Sequence, residues 1–206
     1  MEGDFVTNLQ LVDFCKAALK LPTLYLWGAY GRIITKSLLA SKVKQYPTRY
    51  SSIRQRFILE HMNGEYRGCD CAGLIKWALW TNGDINNKIV YHSKTDRGSS
   101  GLYSAAKEKG PIAVMPELKG LILYKTGHVG VYIGNGKVIE CTLGTRGDGV
   151  VESDLKAVKW THWLKLPEIE YVLPEPGKPK KKTNNSKKID LLEKKGYLPN
   201  KGDLLK

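Results

Sequence analysis

Apolar positions follow two rhythms along this chain, a helical one in the first half and an alternating one in the second. Val6, Leu9, Leu11, Val12, Cys15, Ala18 and Leu19 recur near helical spacing, which predicts a helix over residues 6–20 closed by Pro22. Leu24-Tyr25-Leu26-Trp27-Gly28 follows as a short turn-bounded segment. Residues 33–63 are polar and helix-permissive, divided in two by Pro47. In the next block Cys71, Leu74, Ile75, Ala78 and Leu79 keep the i, i+3, i+4, i+7, i+8 spacing of a core-facing helix, with Asp70 as its N-cap. A further helix is expected over 102–109, stopped by Gly110-Pro111. From Gly120 onward the pattern turns to strands, at 121–124, 127–133, 137–142 and 149–152, with a last apolar run at Tyr171-Val172-Leu173. Helices first and an antiparallel meander second predict an α+β fold.

Composition narrows the functional classes. The 206 residues are 42% apolar, enough for the core of one ordinary domain with a tail. No run approaches the roughly 18 consecutive apolar residues of a membrane span. The N-terminus has no basic start followed by an apolar block, so no secretory leader is expected. Four Cys in a chain of this length do not make a disulfide framework. The net charge of +13 calls for an anionic partner. Ten Lys and four acids fall between positions 175 and 206, which read as a flexible basic tail with a short helix around 189–195. The expected division is therefore a domain at 1–173 and a tail at 174–206. The remainder still carries net +7, but no P-loop, zinc-finger or RNA-motif spacing accompanies it, so no specific nucleic-acid partner is expected.

Cys71 stands at the start of its helix, where free N–H groups and the helix dipole favour a thiolate and lower its pKa. Such a thiolate attacks an amide carbonyl, and the same N–H groups hold the oxyanion. Helix position alone also fits a small buried core residue. Cys69-Asp70-Cys71 has no second ligand pair for a metal, and Cys15, Cys69 and Cys141 read as structural. A nucleophilic cysteine needs a base. His61 and His92 lie in polar, loop-like sequence, and His162 sits among aromatics in Trp160-Thr161-His162-Trp163, where packing is its role. His128 opens the hairpin signature Gly127-His128-Val129-Gly130-Val131-Tyr132-Ile133-Gly134. There Val129, Val131 and Ile133 point inward while His128, Gly130 and Tyr132 face the other way.

The hairpin register decides whether Glu140 reaches His128. A two-residue loop at Asn135-Gly136 sets Glu140 opposite Val131 and buries a carboxylate among apolar groups. A three-residue loop, Gly134-Asn135-Gly136, pairs Ile133 with Lys137, Val131 with Ile139 and Val129 with Cys141. Glu140 then lies opposite Gly130 and diagonal to His128, within side-chain reach. The apolar pattern selects this second register, which leaves Glu140 either a partner of His128 or a solvated strand charge.

Taken together, these segments resemble the NlpC-type peptidoglycan peptidases, relatives of papain, over roughly residues 6–173. The likeness rests on Tyr25-Leu26-Trp27-Gly28, similar to the family's Tyr-x-Trp-Gly, on Asp70-Cys71-Ala72-Gly73-Leu74, similar to Asp-Cys-Ser-Gly-Leu, and on the block opened by Gly127-His128. The resemblance implies a papain-like fold with Cys71 as nucleophile, His128 as base, Glu140 as the residue orienting the imidazole, and Tyr25 beside the thiol to help hold the oxyanion. It implies a cysteine endopeptidase acting on amide bonds of peptidoglycan stems, with no metal or organic cofactor. An amidase cutting the sugar–peptide junction and a catalytically silent wall-binding module are the alternatives. Peptidoglycan is the implied partner, with anionic wall polymers engaged through the basic tail. The place of action is the bacterial cell wall, reached as a phage or prophage lysin or by export without a leader. This chain departs from the family pattern at Ala72, where Ser is usual, and at Glu140, where His, Asn or Gln is commoner. Its stretch 29–69 is also far longer than in compact members. That long form resembles a branch seen in phages and gut Firmicutes.

Overall fold

Thr7 starts the first helix through a capping box. Its hydroxyl accepts from the Gln10 N–H at 3.1 Å, and the Gln10 side chain accepts from the Thr7 N–H at 2.8 Å. The computed structural model describes residues 6–173; the expected basic tail and its short helix lie outside them. A two-residue strand β1 (Val6–Thr7) leads into α1 (Asn8–Ala18), followed by β2 (Thr23–Tyr25) and β3 (Tyr30–Ile33). The long polar stretch then forms α2 (Lys36–Gln45), one 3-10 turn (Pro47–Arg49) and α3 (Ser52–His61), broken at Pro47 as its missing N–H and fixed φ require. β4 (Arg67–Cys69) joins β2 and β3 in a three-stranded sheet of order β2-β4-β3 and runs directly into α4 (Cys71–Trp80).

After α5 (Ser99–Ala105) come β5 (Glu108–Pro111), β6 (Ile122–Lys125), β7 (His128–Gly134), β8 (Lys137–Gly144), β9 (Gly147–Asp154), β10 (His162–Lys165) and β11 (Ile169–Glu170). Six of these form an antiparallel sheet of order β5-β10-β6-β7-β8-β9, while β11 pairs in parallel with β1. The α+β layout agrees with the alternation of the sequence. Among the described residues no helix is long and apolar enough to cross a membrane.

One expected helix is shorter than its sequence implied. The helix expected over 102–109 begins and ends earlier, and residues 108–111 pair with β10 as an edge strand, where Pro111 needs no ladder donor. Tertiary pairing overrides local propensity there, and β10 itself was hidden by its mixed polar sequence. Both faces of the six-stranded sheet are covered. Val129, Val131, Ile139 and Cys141 pack on α1 and α4, whereas Leu123, Tyr132, Val138, Trp160 and Trp163 form a second core on the opposite side. Two connections, the β5–β6 one carrying Leu118 and the β9–β10 one carrying Trp160, pack over that face and cover it.

The β7–β8 hairpin combines the two registers weighed above. Asn135 and Gly136 have φ of 53° and 68°, as the tight two-residue turn requires, and Gly134 pairs with Lys137. Ile133 is the extra residue of a bulge, so that Tyr132 still faces Val138 and Val131 still faces Ile139. The expected Ile133–Lys137 pair is therefore absent, but the register beyond the bulge is the expected one. Extended one pair further, it sets Glu140 opposite Gly130.

Candidate active site

The start of α4 is tied to the loop after β2 by one carboxylate. Asp70 accepts from the Gly73 N–H at 2.6 Å as N-cap and from the Gly28 N–H at 2.7 Å. Gly73 permits this approach, since a Cβ there would stand 1.9 Å from the Ala29 carbonyl oxygen. Cys71 thereby lies at the wall of a cavity of about 450 Å3 that Tyr25, Trp27 and Gly28 also line. The N–H groups of Val129, Ala72 and Cys71 itself reach its sulfur, and Val129 is the residue that follows His128.

The expected low thiol pKa is not found. Burial, reinforced by the charge of Asp70, pushes the Cys71 thiol up to about 12 and outweighs those N–H groups. Desolvation of a residue only 7% exposed exceeds what the helix terminus returns. The resting group is a thiol that needs a base.

His128 supplies one. Its ring stacks on Trp160, with centroids 5.4 Å apart and planes 13° from parallel. Its Nε2 contacts the carboxylate of Glu140, a fully buried side chain and not a solvated strand charge. Arg146 donates to Glu140 through Nε at 3.0 Å and Nη2 at 3.2 Å, and the Ser153 hydroxyl donates at 2.7 Å. Burial alone would raise the Glu140 pKa, but hydrogen bonds from His128, Arg146 and Ser153 hold it at about 2. With Nε2 engaged, Nδ1 is the imidazole nitrogen left for a proton.

Tyr25 keeps its phenol protonated. Burial first, then the neighbouring Cys71 and Asp70, raise its pKa far above the usual range. A charged pair clamps its backbone: Asp148 of β9 accepts the Tyr25 N–H at 2.8 Å, and Arg54 of α3 donates to the Tyr25 carbonyl at 2.5 Å. Arg54 and Asp148 are also paired with each other, largely out of solvent. We expect Asp148→Ala to cost about 3 kcal/mol of stability, because it strands a buried guanidinium and a backbone donor. A lowered urea midpoint at unchanged m-value measures it, and an unchanged midpoint would contradict the clamp.

The structure thus brings Tyr25, Cys71, His128 and Glu140 to one region. Sequence reading missed Arg146, Ser153, Trp160, Arg54 and Asp148. The Gly-rich run Gly144-Thr145-Arg146-Gly147-Asp148-Gly149, spanning the β8–β9 turn and the start of β9, was the one available signal. His162 packs edge-on against Tyr103, as its aromatic surroundings implied, and Cys69 and Cys141 are buried in contact at 3.1 Å.

A family model described as the NlpC/P60 family matches residues 54–167. Cys71, His128 and Glu140 lie inside that span, and Tyr25 lies ahead of it. No curated protein sequence matches the chain. Among solved structures, the chain is similar to the peptidoglycan hydrolase RipB of Mycobacterium tuberculosis, at 21% identity over 80% of this chain and 67% of that one, with a TM-score of 0.43. It is also similar to the P60 domain of an antigen of M. avium subspecies paratuberculosis, at 19% identity over 80% and 98% of the two chains, with a TM-score of 0.44. The NlpC/p60 domain of the peptidoglycan hydrolase SagA aligns at 12% identity over 78% and 100%, with a TM-score of 0.42.

Proposed function

The chain belongs to the NlpC/P60 family of cysteine peptidases and peptidoglycan hydrolases, and from that premise we propose that it cuts amide bonds within peptidoglycan stem peptides through Cys71, His128 and Glu140. The observation that carries the assignment is the buried Glu140 carboxylate on His128 Nε2, one residue from the Val129 N–H that reaches the Cys71 sulfur.

In the proposed reaction His128 Nδ1 takes the thiol proton as sulfur bonds to the scissile carbonyl carbon. The Cys71 N–H and the Tyr25 hydroxyl donate to the oxyanion. Collapse breaks the C–N bond, and the imidazolium hands its proton to the departing amine. Water, deprotonated by His128, then attacks the thioester and releases the acid, restoring the thiol. Glu140 keeps the imidazole in the tautomer with the free Nδ1 and stabilises the imidazolium, the part a carboxylate plays in serine-protease triads.

Digestion of purified cell walls, with released fragments read by mass spectrometry, tests the reading. New amine termini within stem peptides are expected. Free lactyl-muramyl ends would instead make the enzyme an amidase, and no release would leave a silent wall-binding module. We further assign residues 174–206, with their Lys excess, to adsorption on anionic wall polymers. Their removal is expected to weaken adsorption to walls at low salt and to leave hydrolysis of a small soluble peptide unchanged. Equal adsorption by the shortened chain would overturn that role.

A further inference from the structure

The helical segment 36–61 carries six Lys and Arg against one Glu, and it lines both cavities that meet at Tyr25 and Trp27. One cavity holds Cys71 and the other, of about 380 Å3, holds His128. Arg54 of this segment is paired with Asp148. Of the other five, which have no carboxylate partner among the described residues, two line these cavities. Lys42 faces the Cys71 cavity, and its ammonium donates to the neutral Gln45 side chain at 3.0 Å. Burial, then the charge of Lys76, lowers its pKa. The acids near it are engaged elsewhere: Asp96 accepts from Lys76 at 2.8 Å and from Tyr91 at 3.2 Å, and Asp70 holds the Gly28 and Gly73 N–H groups. In the His128 cavity, Arg49 lies over the Trp27 ring at 4.0 Å from its centroid. The cation–π contact holds the guanidinium over the ring and leaves its N–H donors available to a carboxylate. An unpaired cation attracts an anion, more strongly where it is partly withdrawn from water, as the half-buried Lys42 is.

Resting on the hydrolase reading above, we propose that this wall selects acidic peptides, with Lys42 and Arg49 holding substrate carboxylates on either side of the scissile amide.

The test compares kcat/KM for a synthetic stem peptide as the free acid and for the same peptide with its side carboxylates amidated. Wild type is expected to prefer the free acid by about tenfold for each carboxylate recognised, in line with a charge-assisted hydrogen bond. The double variant Lys42→Met, Arg49→Gln should cut both forms with a ratio close to one, at a melting temperature near that of wild type. Equal rates on the two forms by wild type would overturn the proposal, as would a preference that survives in the double variant. Cleavage of neither form by wild type would remove the hydrolase reading, and this proposal with it.

Discussion

Cys71→Ala is expected to lower kcat on cell-wall peptides by about a millionfold, the scale on which loss of a covalent nucleophile is felt. The fold should survive, since only a sulfur at a cavity wall is removed. The pKa of about 12 makes the same point from the side of the base. At pH 7 roughly one thiol in 10^5 would ionise unaided, so almost all reactivity must come through His128. In His128→Ala, alkylation of Cys71 by iodoacetamide should therefore climb about tenfold per pH unit from 7 towards 11, as the thiolate fraction does below its pKa. Wild type should react faster at neutral pH and depend less steeply on it. Equal slopes in the two proteins would deny His128 its part.

Glu140→Ala is expected to lower kcat by about 10^3 to 10^4, and Glu140→Gln by markedly less, because an amide oxygen can still hold the imidazole N–H. Indistinguishable variants would argue against an orienting role. The same residue carries a stability signature. Its folded pKa of about 2 lies below the ordinary 4.5, so its contribution is fully present above pH 4.5 and is lost as pH falls through the folded value. That span corresponds to about 3 kcal/mol of wild-type stability disappearing between pH 4.5 and 2. Glu140→Gln, which has no proton to gain, should flatten this acid limb while being less stable than wild type at pH 7. Urea midpoints at the two pH values read the effect directly.

Much of this site was legible in the chain because its parts are local. Asp70 as N-cap, the apolar stripe of α4 and the alternation of β7 are set by neighbouring residues, and each appears where its spacing demanded. Glu140 was found through register, and the bulge at Ile133 explains why either reading of the loop alone was incomplete. What stayed hidden is set by long-range packing. Trp160 looked like one aromatic among several until the chain folded it onto His128. Arg146 in the β8–β9 turn and Asp148 at the start of β9 are two residues apart, yet their partners Glu140 and Tyr25 belong to different sheets. The thiol pKa failed for the same reason, since a helix terminus is visible in sequence and the depth of burial is not.

In the proposed reaction the Cys71 sulfur is the atom that meets the scissile carbonyl. A stem-peptide analogue with a halomethyl ketone at that carbonyl position should label the enzyme one to one. Peptide mapping by mass spectrometry should then find the adduct on Cys71, with protection by intact stem peptide. An adduct on Cys15, Cys69, Cys141 or His128 in its place, or full inactivation with Cys71 unmodified, would contradict it.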